Sequence, residues 1–550
     1  MTPKSELARR LVPDGSGTRL FGMISRRDFL ASSGAALAWA GIPGVRPVRQ
    51  DAALVLRNAT IYDGTGAEPV TGDVSVEDGR IGTVGRRAGR GTEEIDLRGL
   101  VLAPGFVDVH SHGDGSLEED WRAESVIRQG ITTIVAGQDG GSRDVAAWLR
   151  QVGVLRPAVN VATMIGFGAV RGQVIGNADR PATPDELRRM VSLVESALAI
   201  GACGGSSGLE YTPGGFASRD ELVALAGPLR RRRLPYSTHM RNEDDRLMDA
   251  IAAALSVAET AGCPLQVAHL KAQGPRNWAR MADALRMLEQ AKQRGVDAAF
   301  DIYPYEAYQT GLSNLFPLWS RDGGTGAFLA RIEAPSTADR IRAETLAKVE
   351  LIGGWDNVLI SGVRSAEDQQ VPGQRIGALA AALGRDPYRV TVDLLRRNDG
   401  QVGMVGFAMS EENIEAGLRH PLSMVCSDGS AVAVDGPARR GHPHPRSLGT
   451  FPRVLGRYVR ERKALSLGEA IHKMTGRPAE RLQIRDRGRI VPGLWADLVA
   501  FDPGTVADHA TYAEPFQYPS GIVLVVVNGA VVLREGERTP ARPGMAVRPS

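Results

Sequence analysis

The chain is poor in cysteine. Its 550 residues hold three, Cys203, Cys263 and Cys426. An odd, low count argues against a disulfide framework, and each cysteine lies in or beside an apolar, strand-like run, where it reads as a small buried hydrophobe. A long hydrophobic run is also missing. The best candidate, Gly521 to Leu533, is broken by Asn528-Gly529 and reads as a hairpin rather than a membrane span. Nor does one sign of charge dominate. The formal net charge is +3, from 66 Lys/Arg against 63 Asp/Glu. Residues 1–40 carry six of the basic and three of the acidic residues, so the rest of the chain holds sixty of each and is neutral. This disfavours a basic face for nucleic acid or an acidic membrane. At 43% hydrophobic and 23% charged, the composition is that of a folded protein, and the length exceeds one ordinary core.

The first forty residues read as a targeting segment. Ser25-Arg26-Arg27-Asp28-Phe29-Leu30 is a twin-arginine signature ahead of a weakly apolar stretch, and Ala38-Trp39-Ala40 offers a small-x-small cleavage site. Such signals are addresses for a bacterial export route, so a periplasmic or extracellular location is expected. Met23 lies just ahead of the signature and is an alternative start.

Histidine is scarce as well, nine in all, and four of the nine close apolar runs. His110 and His112 follow Gly105-Phe-Val-Asp-Val, His239 ends Pro235-Tyr-Ser-Thr-His, and His269 ends Pro264-Leu-Gln-Val-Ala-His. Asp428 closes Leu422-Ser-Met-Val-Cys-Ser-Asp. Residues i and i+2 of a strand share a face, so His110 and His112 can converge on one ion. In a barrel of parallel strands the five strand ends meet on one rim.

The middle of the chain supports that architecture. Candidate strands at 106–112, 131–136, 158–166, 201–209, 234–239, 264–270, 297–303 and 422–427 alternate with helical runs, the pattern of an α/β (β/α)₈ barrel. Val402-Gly-Met-Val-Gly-Phe is a ninth candidate. Residues 304–400 look like an insertion between strands seven and eight, set over the rim. Both ends of the chain are β-rich, with hairpin signals at Asp78-Gly79 and Asn528-Gly529. The expected organisation is a signal at 1–40, a small composite β-sandwich domain from 52–103 plus 484–545, and a barrel at 104–483 with an insertion at about 306–400.

Imidazoles with a carboxylate suit zinc or a similar divalent ion, one or two of them. Zinc polarises carbonyls and lowers the pKa of bound water to roughly 7, and Asp428 can both ligate and accept a proton. This is a hydrolase arrangement. Glu210, in Gly204-Gly-Ser-Ser-Gly-Leu-Glu-Tyr, is either a bridging ligand for a second ion or a solvated loop carboxylate. Gln138 closes strand two and reads as a hydrogen-bonding residue. Lys271 follows His269 by two and can hold a substrate carboxylate, or form a structural ion pair. Arg241 stands in the same relation to His239, with Glu243 or Asp244 as its structural partner. Tyr303 and Tyr305 end strand seven, where aromatic packing is the alternative role. His442 and His444, set among prolines, read as a loop rather than a second metal motif.

At this point the chain resembles a family. His110-Ser-His112, His239, His269 and Asp428 match the metal pattern of the amidohydrolase superfamily. Ser206-Ser-Gly-Leu-Glu-Tyr-Thr-Pro-Gly, His239-Met-Arg-Asn-Glu, His269-Leu-Lys, Tyr303-Pro-Tyr, Ser427-Asp-Gly, Gly449-Thr-Phe-Pro-Arg and Pro492-Gly-Leu-Trp-Ala-Asp look like the N-acyl-D-amino-acid deacylases, or D-aminoacylases. The resemblance covers about residues 52–545. It implies hydrolysis of an N-acyl amide to a carboxylate and a D-amino acid. It also implies metal ligands at His110, His112, His239, His269 and Asp428, and substrate contacts at Lys271, Tyr303 and Arg171. The substrate would be a small molecule with a free carboxylate. Gln138 stands where many members carry a metal-binding cysteine, which raises Glu210 as the substitute. Gly166-Phe167-Gly168 stands where several have Gly-His-Gly. Alternatives are a hydantoinase-like hydrolase of cyclic amides and an exported non-catalytic binding protein. Asp428 beside all four histidines favours a hydrolase, since a binder needs no proton acceptor.

Overall fold

The computed structural model describes residues 52–550 except Arg87. The twin-arginine signature and the rest of the expected signal lie outside the described residues. Eight parallel strands make the core: β1 Phe106–Asp108, β2 Ile131–Ala136, β3 in two pieces, Asn160–Thr163 and Ile165–Gly166, β4 Gly205–Gly208, β5 Tyr236–His239, β6 Leu265–Val267, β7 Ala298–Ile302 and β8 Ser423–Val425. Each pairs in parallel with the next. The ring closes between β8 and β1 just beyond the strands. The Asp428 N–H donates to the His110 carbonyl and the His112 N–H to the Gly429 carbonyl, both at 2.9 Å. The expected (β/α)₈ barrel is therefore what this chain forms. The strands are buried throughout, as parallel strands under helices must be; all six residues of β2 are inside.

The helices show why these segments fold locally. Pro184–Ile200, between β3 and β4, begins with Thr183 and Glu186 in a reciprocal capping box and ends at Gly201 with φ 122°. Its buried Met190, Val194, Ala197 and Leu198 form one stripe at helical spacing against the barrel.

The ninth candidate strand is not a barrel stave. Gly403–Phe407 is the centre of an antiparallel sheet, flanked by Ala307–Gly311 and Val358–Gly362. Both its edges are taken by antiparallel neighbours, so it has no edge left for parallel pairing. The insertion thus runs through Phe407 rather than ending near 400.

A mixed sheet unites the two ends of the chain. Leu498–Phe501 pairs antiparallel with Val101–Pro104, which pairs with Ala52–Ile61. Asp78-Gly79 and Asn528-Gly529 both form the expected two-residue hairpin turns, with φ positive at all four residues. The turns meet: a Cβ on Gly529 would lie 2.4 Å from the Gly79 Cα, so glycine is required there for close approach as well as for φ. Residues past Pro543 leave this sheet and lie along β3, where the Val161 N–H donates to the Met545 carbonyl and the Val547 N–H to the Val161 carbonyl, each at 2.9 Å.

Candidate metal centre

The side chains that matter lie just past the strand ends, on turns. β1 stops at Asp108 and β6 at Val267, so alternation along a strand does not by itself place His110, His112 or His269. Three non-glycine residues here have left-handed backbone: Asp139 (φ 53°), His269 (φ 32°) and Asp428 (φ 49°). Such conformations cost energy and cluster at functional sites. In each case the turn swings the side chain into the mouth of the barrel.

The side chains meet in three groups: the first two share Asp139, and a third, of Glu210, His239 and Glu243, shares His239 with the second. In the first, Asp428 Oδ1 lies 3.1 Å from His112 Nε2 and 3.6 Å from His110 Nε2. Asp139 Oδ1 lies 3.4 Å from His110 Nε2, and its Oδ2 lies 3.5 Å from His112 Nε2. In the second, His239 Nδ1 and His269 Nε2 are 3.0 Å apart, and Asp139 is 3.9 and 3.4 Å from them. The shared carboxylate corrects the sequence reading. The position after strand two that faces the metal ligands is Asp139, not Gln138. Gln138 donates to the Val109 carbonyl (2.9 Å) and accepts from Ser237 Oγ (3.2 Å). Glu210 stands apart from the first group: among the histidines its Oε2 reaches His239 Nε2, at 3.3 Å, and it groups with His239 and Glu243.

A surrounding set of charges orients these groups. Arg446 Nη1 donates to Asp428 Oδ2 at 2.6 Å, leaving Oδ1 to the histidines. Asp301, at the end of β7, accepts from the His269 N–H (2.7 Å) and from Gln266 Nε2 (2.7 Å) and lies 3.5 Å from His110 Nδ1. Glu243 Oε1 lies 3.1 Å from His269 Nδ1. Carboxylates behind the rings fix ring orientation and leave the opposite nitrogen free to ligate.

These residues fit a divalent ion. His110 Nε2, which faces the cluster, and Asp139 Oδ1 are buried without a hydrogen-bond partner, a costly state that coordination relieves. Burial opposes charge on these groups, yet Asp139 and Asp428 push His112 up to about 9 and raise His110 well above the ordinary imidazole value. Burial would raise Asp139 and Asp428, but the imidazoles, with Arg446 leading for Asp428, hold both well below the usual carboxylate range. The cluster concentrates negative charge that only protons or a cation can balance. Nitrogen and carboxylate donors at this spacing suit zinc.

One cavity of about 780 Å³ opens onto the cluster and is also lined by Lys271, Tyr303 and Arg446. Lys271 Nζ lies 2.7 and 2.8 Å from the two oxygens of Glu243 and 2.6 Å from His269 Nδ1. Glu243 is thus the partner of Lys271 and not of Arg241, whose guanidinium donates to the Gly215 and Ala217 carbonyls. Arg446 stacks over the Tyr303 ring at 4.8 Å. Among the described residues the Tyr303 hydroxyl donates to Met409 Sδ alone, at 3.9 Å, and burial pushes its pKa well above 10, so it stays a neutral donor. Tyr305 donates to the Pro445 carbonyl at 3.4 Å and packs on His444. His442 and His444 bond to the Tyr512 and Ala307 carbonyls, at 2.7 and 2.9 Å, apart from the metal ligands.

Arg171 is a correction. It is fully buried in the helix Phe167–Val174, with Nη1 2.6 Å from Glu221 Oε2 and Nη2 on the Ala178 and Arg180 carbonyls. It does not line the cavity. Its helix follows β3 at the rim, but the side chain turns outward to pin the helix Arg219–Ala226, which follows β4. Arg171→Met strands the buried Glu221 carboxylate and is expected to lower stability by about 3–5 kcal/mol with KM unchanged. Urea unfolding and steady-state kinetics check this; a raised KM at full stability would return Arg171 to the substrate site.

A barrel with this rim of histidines and aspartates is the architecture of a metal-dependent hydrolase. The model of the amidohydrolase family matches residues 93–533, and the chain belongs to that family. An N-acyl-D-aspartate deacylase of Alcaligenes xylosoxydans xylosoxydans is 34% identical over 524 residues, covering 90% of this chain and 95% of that one. The crystal structure of an N-acyl-D-glutamate deacylase from Bordetella bronchiseptica, with zinc and a phosphonate mimic of the tetrahedral intermediate, matches with a TM-score of 0.78 at 32% identity, over 91% of this chain and all of that one. A D-aminoacylase structure, described with a binuclear metal centre of one-metal activation and second-metal attenuation, matches with a TM-score of 0.77 at 31% identity, over 90% and 99% of the two chains. The resemblance drawn from the motifs is borne out.

Proposed function

We propose that the protein hydrolyses the amide bond of N-acyl-D-amino acids. The observation that carries this reading is the joining, in one cavity, of the Asp139-centred cluster of four histidines and Asp428 with the cations Lys271 and Arg446. The relatives are deacylases of N-acyl-D-aspartate and N-acyl-D-glutamate and a D-aminoacylase, which supports the linear amide over the cyclic one.

His110, His112, Asp139 and Asp428 would hold one divalent ion, and Asp139, His239 and His269 a second, with zinc favoured by the donors. A bound ion of this kind supplies a polarised carbonyl and a water of lowered pKa. The chain's own residues do the rest. Asp428 takes a proton on Oδ1, the oxygen facing the cavity, while Arg446 holds Oδ2 so that the carboxylate cannot rotate away. The same carboxyl is placed to return the proton to the departing amine. Lys271 and Arg446 receive the substrate carboxylate with charge-assisted hydrogen bonds, and Tyr303, between them, donates a third.

Metal analysis of the purified protein, with hydrolysis of N-acetyl-D-leucine set against its L-enantiomer and a hydantoin, tests the reading. Zinc-dependent hydrolysis of the D-amide is expected; hydrolysis of the ring alone would overturn it. Lys271→Met should lower kcat/KM for N-acyl-amino acids by roughly 10- to 150-fold and hardly affect the matching amino-acid amides, which lack the carboxylate. Equal losses on acid and amide would mean that Lys271 serves only to neutralise Glu243. Export in folded form by the twin-arginine route is proposed from Arg26-Arg27. Changing both to Lys should leave the protein in the cytoplasm, and unchanged export would count against it.

A further inference from the structure

His444 is in none of the metal-ligand groups, yet it is fully buried. Both of its ring nitrogens are committed. Nε2 donates to the Ala307 carbonyl at 2.9 Å, which leaves Nδ1 of the neutral ring as an acceptor. Nδ1 takes the Arg446 N–H at 3.0 Å. Burial and the Arg446 guanidinium hold the His444 pKa well below the ordinary imidazole value, which keeps the ring neutral. The rings of Tyr303, Tyr305 and Tyr512 stand edge-on around it, with centroids 6.2, 5.3 and 5.1 Å away. A flipped ring would lose both hydrogen bonds.

Arg446 opens the helix Arg446–Arg453, and the first N–H groups of a helix have no partner within it. His444 serves two of them: its ring takes the Arg446 N–H and its carbonyl takes the Ser447 N–H at 3.1 Å. The Pro445 carbonyl takes the next two, from Leu448 and Gly449, at 3.0 Å each. The other side of the imidazole is anchored on Ala307, the first residue of the insertion strand Ala307–Gly311. The start of this helix is therefore tied to the insertion through one ring. What leaves the helix start is the Arg446 side chain. Among the described residues Asp428 is the one hydrogen-bond partner of its guanidinium, at 2.6 Å, and its Nε is buried without any. Apart from the Tyr303 ring beneath it, the backbone of the turn is what fixes where that guanidinium lies.

We infer that His444 is a positioning residue, which sets Arg446 to hold Asp428 Oδ2 and to receive the substrate carboxylate. The second of these tasks rests on the deacylase reading; the first stands on the geometry alone. A misplacement of about 1 Å at a reacting group can cost roughly 10²-fold in rate, so a ring that touches no substrate can still govern turnover.

The test uses the zinc-loaded enzyme. His444→Phe keeps the bulk of the ring and loses both hydrogen bonds. Its crystal structure should show Arg446 Nη1 beyond hydrogen-bond distance of Asp428, and an unmoved Arg446 overturns the inference. Its kcat/KM for N-acetyl-D-leucine should fall by about 10- to 100-fold, with KM raised for the acid and unchanged for N-acetyl-D-leucinamide, which lacks the carboxylate. In an Arg446→Met background the same change should alter kcat/KM by less than about threefold; a full further loss there would mean that His444 is merely structural. His444→Asn places an oxygen where Nδ1 was and should recover most of the loss. His444→Gln places its amide where Nε2 was and should not. If glutamine recovers more than asparagine, the tie to Ala307 is what counts and the inference fails. That pair also carries the test should His444→Phe not fold. If the wild type hydrolyses no N-acyl-D-amino acid, the deacylase reading falls, and the position of Arg446 in the variant crystals still decides whether His444 sets Asp428.

Discussion

Asp428→Asn is expected to lose at least about 10²-fold in kcat while keeping most of its metal and its affinity for substrate. Asp428 divides its two oxygens between two tasks: Oδ2 receives Arg446 at 2.6 Å and Oδ1 stands 3.1 Å from His112 Nε2, toward the cavity. An asparagine has one acceptor and one donor. Arg446 can only donate, so the amide oxygen settles on Arg446 and the amide nitrogen takes the place of Oδ1. The group facing the reacting atoms can then accept no proton. On the proposed reading His110, His112 and Asp139 would still hold the ion, and Lys271 and Tyr303 the substrate, so the loss would fall on turnover. Steady-state kinetics with metal content measured on the same preparation check this. Near-normal kcat would refute the proton-acceptor role, and metal loss in proportion to kcat would assign Asp428 to ligation alone.

Most of the fold was legible because barrel strands are short apolar runs with chemistry at one end, and all eight runs became strands. The ninth run, Val402–Phe407, has the same composition. Only its pairing tells it apart, and pairing is a property of neighbours far along the chain. Within the site, residues that close apolar runs could be read directly: His110, His112, His239, His269 and Asp428. Asp139 was missed because the turn after β2 carries it into a left-handed conformation, one residue beyond Gln138. Counting alternation from the strand picks the wrong neighbour there. The signal was present in Gly137-Gln-Asp-Gly-Gly, an acid flanked by glycines, which is where a positive φ is tolerated. Arg446 follows a loop of more than fifteen residues after Asp428, so no periodicity connects the two. Arg171 was misplaced for the opposite reason. It sits at the rim in sequence, but Glu221, fifty positions away, holds it outside the cavity.

Asp139→Ala should therefore be the most informative change in the metal centre. Among the described residues, Asp139 joins the group of His110, His112 and Asp428 to the group of His239 and His269, and His239 joins the latter to Glu210 and Glu243. Burial disfavours its charge, but His110 and His269 hold it ionised, so at neutral pH it supplies a full negative charge between four imidazoles. Were each group to hold an ion, removing Asp139 would take a ligand from both and the charge that opposes their mutual repulsion. Loss of an orienting partner behind a metal ligand already costs roughly 10- to 100-fold in metal affinity, and loss of a shared ligand should exceed this, with activity falling in step. Asp139→Cys gives the geometry a way to recover, since a thiolate is a good zinc ligand and also carries charge. Asp139→Asn, which keeps an oxygen but no charge, should fall between. Zinc stoichiometry after dialysis against a weak chelator, measured beside kcat/KM for N-acetyl-D-leucine, orders the three variants. Full zinc occupancy in Asp139→Ala would show that the two groups bind without a bridge, and would return the choice of second-site ligand to Glu210, which already touches His239.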